Sequence, residues 1–295
     1  MRLFALELNN DIKGPDKRKQ YIESLISRLP SPDLVLLPEL AICGYMPNQN
    51  IWKYTDCCGE DTSDWAKKMA VKYNTYIGVG YLDYENGDYY NRYLIADGER
   101  VYGVVTKSEA EAAVFRRGGF DNIIQTPFGN VAVAICYDSR RRHFYENIKD
   151  QQISLIVFPH GSPANPGKEA EEIAGNDYFC NLYSDAFGVP VIYVNSVGKF
   201  EYMPGIMGRL MKWLKFTMNG QTKIYAAGGK SVQPALKEAK GHDIELSAKK
   251  RKRDIVFYGD DLIKENILFR KIILKPDIVL GIRQYEKGLK RTHHR

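Results

Sequence analysis

Several short stretches of this chain are apolar at almost every position, among them Leu34-Val35-Leu36-Leu37, Val131-Ala132-Val133-Ala134-Ile135 and Ile153-Ser154-Leu155-Ile156-Val157-Phe158. A strand with one wet face alternates polar and apolar residues, whereas a strand without alternation is covered on both faces. Such strands need apolar partners above and below, and the segments between them supply these. Residues 16–29 carry Tyr21, Ile22, Leu25, Ile26 and Leu29 on one helical face, 62–73 turn Trp65, Met69 and Ala70 inward, and 168–187 form a third helix. Further strands are expected over 1–8, 33–37, 75–82, 89–96, 100–106, 130–136, 190–195, 222–227 and 231–234, with Asp97-Gly98 turning a hairpin. Strands alternating with helices, plus one hairpin, predict an α/β layered fold with a mixed sheet. Neither a repeat nor a low-complexity linker marks a boundary. Residues 1–295 therefore read as a single domain, with a less regular extension from about residue 236.

Composition narrows the function classes. With 44% apolar and 26% charged residues the chain is an ordinary globular sequence. Its five cysteines have no repeated CxxC spacing, which argues against a disulfide framework or a zinc site and for reduced thiols in a cytoplasm. No apolar stretch approaches the roughly 20 residues that span a bilayer, and Met1-Arg2-Leu3-Phe4-Ala5-Leu6 lacks signal-peptide architecture. The net charge of +6 gathers late, in Lys249-Lys250-Arg251-Lys252-Arg253 and from Lys287 to Arg295. No aromatic–basic interleaving accompanies these runs, so a solvated turn and tail is expected and no nucleic-acid partner.

Chemistry is expected at strand ends, where open α/β sheets present reacting groups. Cys136 ends the run Val131–Ile135, Glu39 follows Leu34–Leu37, and Lys107 follows Val101–Thr106. Taken singly, each has an ordinary structural reading: a buried thiol, a helix N-terminal carboxylate, a surface lysine. Together they cover what acyl transfer to sulfur requires. A thiol must lose its proton, the developing oxyanion needs a donor, and the leaving amine needs a proton. Histidine is the usual partner of cysteine, but of the five histidines only His160, after Phe158-Pro159, sits at a strand end.

Leu37-Pro38-Glu39-Leu40-Ala41-Ile42-Cys43-Gly44-Tyr45, Thr106-Lys107 and Ala134-Ile135-Cys136-Tyr137-Asp138 resemble the three signature blocks of the nitrilase superfamily, the carbon–nitrogen hydrolases, in order and separation. Tyr90-Asn91, Gly118-Gly119-Phe120 and Asn195-Ser196-Val197-Gly198 extend the resemblance over about residues 1–235. It implies an αββα four-layer sandwich that pairs into homodimers or higher homo-oligomers, and a Glu-Lys-Cys set: Cys136 as nucleophile, Glu39 as general base and acid, Lys107 as oxyanion stabiliser. The backbone N–H of Tyr137 would be the second oxyanion donor, and Glu111 would orient Lys107, with Glu109 as competitor. His160 lies where the family lines its pocket, and a packing role is equally open.

The expected activity is hydrolysis of a small non-peptide amide or N-carbamoyl compound through a thioester, without metal or organic cofactor. Acyl transfer, nitrile hydrolysis and a silent scaffold are the alternatives. Two departures bear on substrate: Lys107-Ser108-Glu109-Ala110-Glu111 is a short loop, and Arg140-Arg141-Arg142 beyond the nucleophile would suit an anionic compound. Apolar residues from Met203 to Leu214 recur at helical spacing beside Arg209, Lys212 and Lys215. A lid or subunit-interface role is expected for this insertion in preference to a membrane-surface helix.

Overall fold

The computed structural model describes residues 1–226, 229–232, 236–264 and 270–292. Its centre is two sheets packed face to face. In the larger one the spatial order is Lys230–Val232, Ala239–Asp243, Arg2–Leu6, Leu34–Leu36, Tyr76–Glu85, Asp88–Ala96, Val101–Thr106. The smaller runs Lys223–Tyr225, Val191–Val194, Leu155–Pro159, Gly129–Val133, Ile123–Thr126. The apolar runs lie at the heart of each sheet as parallel pairs: Arg2–Leu6 beside Leu34–Leu36 beside Tyr76–Glu85, and Gly129–Val133 beside Leu155–Pro159 beside Val191–Val194.

The period of two sorts their side chains. Leu3, Ala5, Leu34 and Leu36 meet Val131, Val133, Leu155 and Val157 between the sheets. The alternate residues Phe4, Leu6, Val35 and Leu37 pack outward on helices α1 (Pro15–Ile26) and α2 (Glu60–Tyr73). Ala132, Ala134, Ile156 and Phe158 pack on α3 (Arg142–Ile148) and α4 (Glu169–Phe187). The result is the expected order helix, sheet, sheet, helix. Each fully buried Leu, Val or Phe contributes about 1.5–3 kcal/mol, which is why both faces of these strands must be filled.

Three differences from the sequence-based expectations matter. The strand expected over 130–136 ends at Val133, and Cys136 instead opens a 3-10 turn, Cys136–Arg140, with φ 53°. The basic run keeps its side chains largely exposed, as expected, but it is pinned and not a free turn: Lys249 bridges to Ile153, the Lys252 N–H donates to Ala186 O, and Arg253 pairs with Asp185. It straps the outside of the smaller sheet and α4. The apolar insertion forms α5 (Gly205–Trp213), the helix that its spacing predicts. Finally, the extension beyond residue 236 holds a strand, Ala239–Asp243, and an eighteen-residue helix, α6 (Lys275–Thr292), that periodicity did not mark. The expected strands 222–227 and 231–234 and the basic tail lie partly outside the described residues.

Helix α6 is seated through small residues. A Cβ on Gly281 would come within 3.0 Å of the Ala113 nitrogen, and one on Gly288 would meet Trp52 at 2.7 Å. Between them Tyr285 stands edge-on to Trp52, and its hydroxyl donates to Asp88 Oδ1 at 2.9 Å while accepting the Tyr89 N–H. Among the described residues no helix is long and apolar enough to cross a membrane.

Candidate active site

Glu39, Lys107 and Glu111 meet in the interior. The Pro38–Leu40 turn lies directly on the strand Tyr76–Glu85, because a Cβ at Gly80 would come within 2.6 Å of Pro38 O and Leu40 N. That close approach aims Glu39 (1% exposed) inward. Arg18, fully buried, donates to the carbonyls of Ala41, Asn9 and Ile12 and pins the chain after the turn. Lys107 leaves the end of Val101–Thr106 with its N–H on Asn91 O at 2.9 Å. Its Nζ donates to Glu39 Oε1 at 2.7 Å and to Glu111 Oε1 at 2.8 Å. Asn91 Nδ2 donates to the same Glu39 oxygen at 2.7 Å, and the Tyr45 hydroxyl to Glu111 Oε1 at 2.8 Å.

Glu109 points elsewhere. It pairs with Arg117 at 3.0 Å and Arg141 at 3.3 Å, so it is Glu111 that reaches Lys107. Burial opposes ionisation of Glu109, but His143, Arg117 and Arg141 outweigh it and bring its carboxyl to about 2.

These contacts set the electrostatics. Burial pushes the Glu39 carboxyl above its ordinary range, and the Glu111 charge adds to this, while Lys107 pulls the other way. Burial also works against charge on Lys107, yet the two carboxylates outweigh it and hold the ammonium protonated. Cys136 lies within the field of all three groups. Enclosure of its thiol, reinforced by Glu39 and resisted by Lys107, raises it to about 12. Its sulfur is 3.4 Å from Ser162 Oγ, and its carbonyl accepts from Ser139 Oγ at 2.7 Å.

Asp138 joins the cysteine turn to the lysine loop. Its buried carboxylate accepts the Ser108 and Glu109 N–H groups at 2.8 and 2.7 Å, and burial still lifts it to about 6. Asp138 and Asn91 fall within the sequence blocks, but no spacing rule assigned them a role, and Ser162 carried no signal at all. The Tyr137 ring lies under Arg140 and Arg141, and its hydroxyl donates to Asp261.

His160 is buried behind the cysteine, with Nδ1 2.8 Å from Ser162 Oγ and its ring 4.4 Å from that of Tyr193. Burial first, then Lys107 and Arg140, lowers the imidazole from 6.5 to about 3, so it is neutral at physiological pH. The unfolded chain takes up a proton here below 6.5 that the folded protein refuses down to about 3. Its share of stability is therefore complete above 6.5 and is lost as pH falls toward 3, by up to about 1.4 kcal/mol per pH unit. The His160→Gln protein should show a shallower fall of Tm in that window than the parent by calorimetry; parallel curves would contradict this.

A chamber of about 1230 Å³ opens from Tyr45, Glu111 and Tyr137 outward. The arginines on its rim are already matched: Arg140 and Arg141 pair with Asp261, Arg141 and Arg117 with Glu109, and Arg142 Nε donates to Gly259 O. Two carboxylates thus hold three of these four arginines in fixed positions, which makes the run a partly compensated network and not three free cations. Among the described residues no group of three or more His, Cys, Asp or Glu is placed to hold a metal.

The sequence model of the carbon-nitrogen hydrolase family matches residues 13–245. The chain belongs to that family. A probable nitrilase of Schizosaccharomyces pombe is 24% identical over 268 residues, covering 83% of this chain and 88% of that protein. A carbon-nitrogen hydrolase from Helicobacter pylori shares the fold with a TM-score of 0.64 at 17% identity, over 82% of this chain and 87% of that one. So does a Glu-to-Gln mutant of the amidase from Nesterenkonia sp. AN1, with a TM-score of 0.59 at 15% identity over 83% and 90% of the two chains. In that mutant the acetamide moiety of fluoroacetamide is attached covalently to the active site cysteine.

Proposed function

We propose that the protein hydrolyses the carbon–nitrogen bond of a non-peptide amide or N-carbamoyl compound through a thioester on Cys136. The observation that carries this reading is one ammonium, Lys107 Nζ, held between Glu39 and Glu111 at 2.7 and 2.8 Å within the field of the thiol. A thiol near 12 holds almost no free thiolate at neutral pH. Its proton must leave as the sulfur attacks, and an elevated Glu39 carboxylate is a fitting acceptor. Glu39 Oε2 makes no hydrogen bond among the described residues, which leaves it open for that proton.

As the Sγ–C bond forms, the carbonyl electron pair moves to oxygen. Lys107 has three N–H donors and spends two on carboxylates, so the third suits this oxyanion. The Tyr137 N–H, first in the turn after Cys136, is assigned as second donor. Collapse expels ammonia or amine with the proton from Glu39. Water then gives a proton to Glu39 and adds to the thioester, and the acid leaves as sulfur recovers the proton. Glu111 and Tyr45 position Lys107, and His160 positions Cys136 through Ser162.

A screen of primary amides and N-carbamoyl amines should release ammonia and free acid in equal amounts, and acid quench should leave an acyl group on the Cys136 peptide by mass spectrometry. Amine conjugates in place of acid would make the protein an acyltransferase, turnover confined to nitriles would make it a nitrilase, and no turnover with any compound would refute the reading.

A further inference from the structure

The chamber is larger than a small amide requires. Pockets of about 300–1,000 Å³ enclose drug-sized ligands, and this one is about 1230 Å³. Between α5 and α6 it presents an apolar strip, Phe200, Met203, Met207 and Met211 on one side and Ile278 and Leu280 on the other, within an otherwise mixed lining. The three methionines are only half-buried. Their unbranched, polarisable side chains conform to flexible apolar ligands.

Two features make this a built slot. The Asp277 carboxylate of α6 accepts the Ile206 and Met207 N–H groups at the start of α5, at 2.8 and 2.7 Å, so the two helices are tied at one end. Gly281 sets α6 against Ala112 and Ala113, the residues next to Glu111, so the slot floor runs up to Glu111 and to Tyr137, the residue after Cys136.

We propose that the substrate is an amphiphilic amide whose straight alkyl acyl chain lies in the slot between α5 and α6, with its carbonyl at Cys136. This rests on the hydrolase reading and replaces its small substrate with a chain-bearing one. Each methylene taken from water into such walls gains about fourfold in binding until the slot is full.

The test uses the full chain. Ammonia release is measured for acetamide, butyramide, hexanamide, octanamide and decanamide, below their aggregation limits. In parallel, the affinities of acetaldehyde, hexanal and decanal are measured by titration calorimetry, since an aldehyde can add the Cys136 S–H across its C=O and carries the same chain. Both series should climb about fourfold per methylene over the first several carbons. Met211→Trp, which fills the slot, should lower the decanamide-to-acetamide ratio of kcat/KM at least about tenfold, slightly less than the value of two methylenes. Amide hydrolysis with no dependence on length would overturn the slot and leave the hydrolase. Length-dependent aldehyde binding without any amide turnover would keep the slot and overturn the hydrolase. An unchanged ratio in the Met211 variant would refute the assigned location.

Discussion

Cys136→Ala should lower amide turnover by about 10⁴-fold or more while leaving Tm within a few degrees of the parent. Cys43→Ala should keep most activity. The contrast is sharp because burial raises both thiols to about 12, so acidity alone does not separate them. Surroundings do. Cys43 is 1% exposed, its sulfur faces Leu40 O at 3.6 Å, and Arg18 and Lys13 are its charged neighbours. Cys136 is partly exposed and lies in the field of Glu39, Lys107 and Glu111. Steady-state ammonia release from the two purified variants decides the matter, and equal losses would contradict the assignment. Cys57 and Cys58 are exposed and would consume a general alkylating agent, so labelling must be mapped to the peptide.

The second large effect belongs to Glu39. Glu39→Gln keeps the side-chain shape but abolishes its proton transfers, and such transfers contribute about 10²–10⁴-fold. The pH profile separates this from a packing defect. Activity needs the carboxylate, so kcat/KM should fall as pH drops through the Glu39 pKa, and burial places that limb above the ordinary glutamate range. In the variant the acid limb should vanish along with the rate. Retention of the limb, or a loss under tenfold, would assign the base elsewhere.

Legibility in the sequence follows the range of the interactions involved. The central strands are readable because being apolar on both faces is a local property, and Leu34–Leu36 and Leu155–Pro159 appear where their composition puts them. The Asn86-Gly87 turn, with φ 53° and 86°, was equally local and went unread, although Asn-Gly is a strong hairpin signal. Hydropathy puts Cys136 at a strand end because its apolar run continues to Ile135, but a left-handed φ at the cysteine is not encoded in hydropathy. Glu111 and Glu109 differ only in where the loop turns them, and Arg117 together with Arg141, the latter more than thirty residues away, settles Glu109. Arg140-Arg141-Arg142 looked like an anion site because Asp261 is over a hundred residues distant. Helix α6 docks through Gly281 and Gly288, residues that weaken a helical pattern as they permit close packing.

Because α6 follows every reacting residue in the sequence yet walls the chamber around Glu111, translation delivers that wall after them. A nascent polypeptide stalled before residue 275 would already hold its thiol, carboxylates and ammonium in sequence, with no side to the vessel they serve. Termination just before residue 275 should then yield protein that accumulates but turns over poorly, an outcome that loss of a segment with no part in the chamber would not produce.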